Sequence, residues 1–194
     1  MVLSRDLIAK IPNSDLLKVM KYVKVKSIDK DGYLVLKRLA LSFLFFYLKQ
    51  TSIVCNTFLC KSINKSTLEL VRKLNIESNA FHHGFYIEKI AHLMKGGEKL
   101  VLGFQDATVD LYQVGGGKYI DFELLKNICK VILNELKINL NIEIDAIKYL
   151  RDILENYLHK IAYNTIDYNR ELRKERKKLN IYILRKDDII NALP

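Results

Sequence analysis

Cysteine is scarce: Cys55, Cys60 and Cys129 are the only three in 194 residues. They are too few and too scattered for a disulfide framework, and Cys55 and Cys60 have no second Cys/His pair at metal-ligand spacing. A reduced, intracellular setting with buried structural thiols is expected. No secretory leader is expected either, because MVLSRDLIAKIPNSD has neither a long apolar core nor a small-residue cleavage site. The most apolar run, Leu39 to Leu48, is bracketed by Lys37, Arg38 and Lys49. It is about ten residues long where a membrane span needs about 20. It reads as a buried helix, and no membrane partner is expected.

Signatures of catalysis are missing as well. His82, His83 and His92 lie near Glu88 in the sequence. No zinc-protease pattern, nucleophile elbow or pair of carboxylates accompanies them. The glycine run Gly115-Gly116-Gly117 before Lys118 lacks the spaced second glycine and the hydroxyl residue of a phosphate-binding loop. It reads as a linker. No enzyme activity, catalytic residue, metal site or cofactor is therefore expected.

Acidic residues are in deficit. Against 32 Lys and Arg stand 22 Asp and Glu, a formal charge of +10, and the pI is near 9.4. Such a balance points to a polyanionic partner, although charge alone says nothing of the fold. The excess is uneven. Residues 1–76 hold 14 basic and 5 acidic side chains (+9), residues 77–119 hold 4 and 5 (−1), and residues 120–194 hold 14 and 12 (+2).

What is present is helical periodicity, interrupted by short extended stretches. In the last third, Phe122, Leu125, Ile128, Cys129, Ile132 and Leu136 mark one amphipathic helix. A short lead at Leu140 and Ile142 precedes a much longer stripe: Ala146, Leu150, Ile153, Leu154, Tyr157, Leu158, Ile161, Ala162, Thr165, Ile166 and Tyr168. The basic run Arg170 to Lys178, which suits a helix C-terminus, separates this stripe from an extended Ile181–Leu184. A short helix with Asp187 and Asp188 in its first turn follows.

Residues 1–76 repeat that order. Pro12, Asn13 and Ser14 suit a helix start, with Asn or Ser accepting backbone N–H groups. Val23 and Val25 alternate with Lys24 and Lys26 as an extended stretch. Asp29 is placed to cap a long helix to about Phe58, Lys61-Ser62-Ile63 is a second loop, and Ser66 or Thr67 opens a last short helix. Between the repeats, residues 77–119 read as a helix ended by Gly96-Gly97, then a β-hairpin over 99–114, then the glycine hinge.

Two phrases carry a resemblance to a known family. "IPNSDLLKVMKYVKVKSIDKDGYLVLKRLALSFLFFYL" is similar to the opening of archaeal histones and histone-like transcription-factor subunits, and "YILRKDDIINAL" resembles the second loop and last helix of a histone fold. Asp188, Ile189 and Ala192 fall on the acidic, Ile and Ala places of that phrase. The resemblance covers about three quarters of the chain. It implies a mainly all-α fold: two tandem histone folds (1–76 and 120–194) packed as an intramolecular pair, joined by a small connector with a helix and a hairpin (77–119). A single histone fold cannot bury its central helix alone, so a doublet would supply the partner in cis.

The family resemblance also implies a function: sequence-independent binding of double-stranded DNA, as a chromatin-like component that compacts or wraps it. The alternative is a histone-fold module that docks protein. Further partners implied are other histone-fold proteins, or self-assembly through four-helix contacts. The implied setting is nucleus and chromatin, or viral factory and virion. In the family, DNA contacts lie in the loops flanking the central helices. The positions that match are Lys24, Lys26 and Lys30 at the first loop and Lys61 and Lys65 at the second, with Lys18 and Lys21 on the first helix. In the second half they are Lys137, Lys148, Lys177, Lys178, Arg185 and Lys186. Lysine and arginine at such places displace condensed counterions from phosphates, which carry no sequence information. The chain departs from the family at its second-loop arginine and its pairing aspartate. Cys60 and Thr67 occupy those places in the first half, and Ile181 stands at the arginine place in the second. About ten residues precede the first fold, so no long basic tail is expected.

Overall fold

The computed structural model describes residues 5–77, 118–175 and 180–193. Among them are seven helices and four two-residue strands. The expectation of a mainly helical chain holds. In order the elements are α1 (Arg5–Lys10), α2 (Asn13–Tyr22), β1 (Ser27–Ile28), α3 (Lys30–Thr57), β2 (Ser62–Ile63), α4 (Lys65–Glu77), α5 (Phe122–Glu135), β3 (Asn141–Ile142), α6 (Ile144–Glu175), β4 (Ile183–Leu184) and α7 (Lys186–Ala192). The expected connector helix, hairpin and glycine hinge, and His82, His83 and His92, lie outside the described residues.

Local chemistry sets the boundaries. Asp29 caps α3 by accepting the Gly32 N–H, and Asp121 caps α5 by accepting the Leu124 N–H at 2.7 Å. At α4 the cap is Asn64, not Ser66 or Thr67. Asn64 Oδ1 accepts the Thr67 N–H at 3.0 Å, and Thr67 Oγ1 accepts the Asn64 N–H at 3.2 Å. This reciprocal pair satisfies two backbone donors at once. The expected cap at Asn13 or Ser14 is also corrected: Pro12 stands at the N-cap of α2, and no side chain there accepts a backbone N–H. The ends of α2 and α5 match closely. Lys24 (φ 68°) and Lys137 (φ 56°) each adopt the left-handed conformation two residues past their helix. Val25 N–H bonds Met20 O at 3.3 Å, and Ile138 N–H bonds Leu133 O at 2.9 Å. These bonds occupy carbonyls that the helix leaves open.

The two halves interlock. β1 pairs in parallel with β4, Ser27 opposite Ile183 and Ile28 opposite Leu184. β2 pairs in parallel with β3, Ser62 opposite Asn141 and Ile63 opposite Ile142. Thus the strand before each long helix bonds the strand after the other long helix. α2 packs on α6 and α5 packs on α3, while α4 touches α6 and α7 touches α3, so every short helix of the repeats contacts the long helix of the opposite half.

α3 is the hub: each of the other six described helices touches it. Residues 39–48 are buried on all faces, including Phe43, Phe46 and Tyr47. Among the described residues α3 is the one helix long and apolar enough to cross a membrane, but most of that surface is packed inside the protein, as in a core helix. Its Phe43 meets α6 through Tyr157, whose ring stacks on it at 4.7 Å, and Tyr47 packs against Phe43 within α3. α1, which the sequence pattern did not suggest, inserts Leu7 against α3 and α5.

Candidate nucleic-acid interface

The crossed strand pairs create two ends. At one, β1 and β4 lie together, with α2 and α6 arriving and α3 and α7 departing. At the other, β2 and β3 lie together, with α3 and α5 arriving and α4 and α6 departing. α3 spans the distance between them, 28 residues or about 42 Å at 1.5 Å per residue.

The cationic positions divide between these ends. Lys21, Lys24, Lys26 and Lys30 of the first half share the β1–β4 end with Arg185 and Lys186 of the second. Lys26 is fastened there twice. Its N–H bonds the Tyr182 carbonyl at 2.9 Å, and its ammonium lies 5.6 Å from the centre of the Tyr182 ring. Asp29 N–H bonds the Leu184 carbonyl at 3.0 Å and closes the bridge. The left-handed turn at Lys24 leaves that side chain exposed beside Lys26. Lys61 and Lys65 fall at the β2–β3 end, with Lys137 and Lys148 from the second half. The fold therefore does not gather the predicted residues into one patch. Lys18, farther back on α2, pairs with Asp15 at 3.3 Å. Lys177 and Lys178 lie outside the described residues.

Carboxylates differ between the ends. At β1–β4, Asp29 turns inward as the helix cap, and Asp188 pairs with Arg185 at 3.3 Å. Asp188 thus has an arginine partner three residues earlier on its own chain segment. Asp31 and Asp187 remain exposed, so six basic side chains face four carboxylates at this end. At β2–β3, Glu69 pairs with Lys65 at 3.5 Å, Glu143 accepts a hydrogen bond from Ser62, and Glu135 and Asp145 are exposed, so four lysines face four carboxylates. In the first half, Cys60 is half-buried, and buried Thr67 belongs to the α4 cap.

Several polar residues that the periodic reading passed over are buried in α6. Glu155 accepts three backbone N–H groups from the segment leading into α5: Lys118 at 2.9 Å, Tyr119 at 2.6 Å and Ile120 at 2.8 Å. Burial pushes its carboxyl above the ordinary carboxylate value, and the three donors and Arg151 oppose that rise. One turn on, His159 bonds the Val19 carbonyl of α2 at 3.1 Å through Nε2 and stacks under Tyr22 at 4.8 Å. A carbonyl only accepts, so Nε2 carries the proton, and Nδ1 is buried without a partner. Burial lowers the His159 pKa, and the Val19 bond partly restores it. His159 fastens the second half's long helix to the first half, and Glu155 fastens it to the segment leading into α5.

The thiols fit the structural reading in two cases. Cys55 and Cys129 are fully buried, and burial raises both, Cys129 to about 12. Cys60 is half-buried. Among the described residues no group of three or more His, Cys, Asp or Glu is placed to hold a metal ion. Compared with family models, with curated proteins and with solved structures, the chain finds no match.

Proposed function

We propose that this chain is a histone-fold doublet that binds duplex DNA without sequence preference and acts as a chromatin-like DNA-packaging component. The observation that carries the reading is the β1–β4 bridge. It sets Lys24, Lys26 and Lys30 of one half beside Arg185 and Lys186 of the other on a rigid, hydrogen-bonded frame. Lysines carried on a hydrogen-bonded loop pair suit phosphates, because the backbone beneath them is already ordered and counterions are released on contact. The exchange of short helices between the halves supports the doublet part of the reading: each long helix is covered by its own half and by the other.

The protein-docking module is the second reading. It is favoured by the charge balance at the β2–β3 end and by the exposure of Phe58 (65%) and Leu59 (88%) just past α3. Titration of a mixed-sequence duplex across salt concentrations separates the two. DNA packaging predicts binding that is indifferent to sequence and whose log affinity falls linearly with log salt, with a slope of about −4 to −5 for five phosphate contacts. Binding that is weak at low salt, or that ignores salt, refutes the DNA reading and favours the docking module.

A further inference from the structure

We infer that the protein grips duplex DNA through its β1–β4 end alone, and that the β2–β3 end makes no productive phosphate contact. The inference rests on the DNA reading above and adds to it a direction. Both ends share the same backbone design, a two-residue parallel bridge flanked by helices. A chain using both would arm both. Here the arming is unequal. At β1–β4, six basic side chains (Lys21, Lys24, Lys26, Lys30, Arg185 and Lys186) stand against four carboxylates, of which Asp29 is engaged in the α3 cap and Asp188 is paired with Arg185. At β2–β3, the carboxylates match the lysines in number. Glu143 stands on the bridge itself, where its N–H bonds Ile63 O and its side chain holds Ser62. A phosphate approaching that bridge meets an exposed carboxylate first. The starts of α2 and α5 add no cationic site between the ends, because their first turns hold Asp15 and Glu123 and α5 is capped by Asp121.

The two ends are about 42 Å apart along α3, so contacts at both would lay the duplex along the molecule. Contact at one end leaves the rest of the protein standing off the duplex. In that arrangement a single copy binds DNA without bending it around itself.

Two triple variants with the same change in net charge test this. One is Lys24→Glu with Lys26→Glu and Lys186→Glu. The other is Lys61→Glu with Lys137→Glu and Lys148→Glu. Lys24 and Lys137 occupy equivalent left-handed turns, so backbone effects are matched. The corresponding Lys→Gln triples serve if a Glu variant fails to fold by circular dichroism. The expected result is that the first triple lowers affinity for a mixed-sequence duplex by about a hundredfold or more and makes the log–log salt slope shallower by about 3, while the second leaves both unchanged. Equal losses in the two triples, or a larger loss in the second, would overturn the one-ended grip and leave DNA binding standing. If the unaltered protein shows no salt-dependent binding to duplex DNA, the DNA reading itself fails, and the one-ended grip with it.

Discussion

Gly32 gives the sharpest test of how the halves fit. It lies in the first turn of α3 and is buried. In an ordinary helix, alanine would improve on glycine by about 1 kcal/mol. Here a methyl group would sit 2.6 Å from Asp29 Oδ1, 3.0 Å from the Leu184 carbonyl oxygen and 3.1 Å from Ile28 Cγ2. The carboxylate can turn away, but the α3 cap is then lost, at about 1 kcal/mol. The Leu184 carbonyl cannot turn away freely, because it accepts the Asp29 N–H that closes the bridge between halves. Crowding of this kind costs about 1–3 kcal/mol. Gly32→Ala is therefore expected to destabilise the protein by about 1–3 kcal/mol, the reverse of the helix-propensity sign. For a chain of this size that is a fall in Tm of about 2–12 °C, read by far-UV circular dichroism. Asp29→Ala removes the cap without the crowding and serves as the reference. A Tm that rises for Gly32→Ala, or that falls no further than for Asp29→Ala, would show that Leu184 does not press on α3 as described.

Two further outcomes concern the buried polar ties. Below about pH 6.5 the unfolded chain takes up a proton on His159 that the folded chain resists, so this part of the stability is present above that pH and lost as pH falls. Urea midpoints should therefore drop on acidification more steeply in the native chain than in His159→Phe, and parallel pH profiles would refute the assignment. Glu155→Gln keeps one oxygen but turns an amide N–H₂ toward donors that now face a carboxylate. It should cost about 1–3 kcal/mol in urea unfolding, and a neutral effect would mean the three N–H groups find other acceptors.

The long elements were legible because their signals are long. Asp29 sits where a cap belongs, and the apolar stripes of α3 and α6 run for many turns, which leaves little room for another reading. Boundaries set by one side chain were less legible: Asn64, Ser66 and Thr67 are all capable caps, and only the reciprocal bonds distinguish Asn64. α1 was missed because six residues are too few to show a period. The strand pairing carries no sequence signal either, since two-residue strands cannot alternate. Yet that pairing decides which lysines become neighbours. Glu155 and His159 read as polar interruptions of a stripe. The broad buried face of α6, continuous from Ile153 to His159, requires partners for them, and those partners lie in segments distant in sequence.

The unequal charge of the two halves follows from the same packing. α3 is covered by every other described helix, so its middle admits no charge, and residues 39–48 contain none. The first half must carry its cations elsewhere, and the places left are α2, the two loops and the margins of α3 and α4. α6 is amphipathic and retains exposed positions such as Lys148, Asp167, Arg170, Glu171 and Lys174, where opposite charges pair three residues apart, Arg170 with Asp167 and Lys174 with Glu171. Such pairs neutralise each other on the helix surface and contribute little to stability. The second half thus spends its charges on itself, while the first presents lysines at the loops. The β1–β4 end joins the first half's early loop to the second half's late loop, where Asp188 is already paired with Arg185. Six basic side chains stand there against four carboxylates, whereas the other end is balanced four to four, and the β1–β4 end is where a polyanion would be drawn.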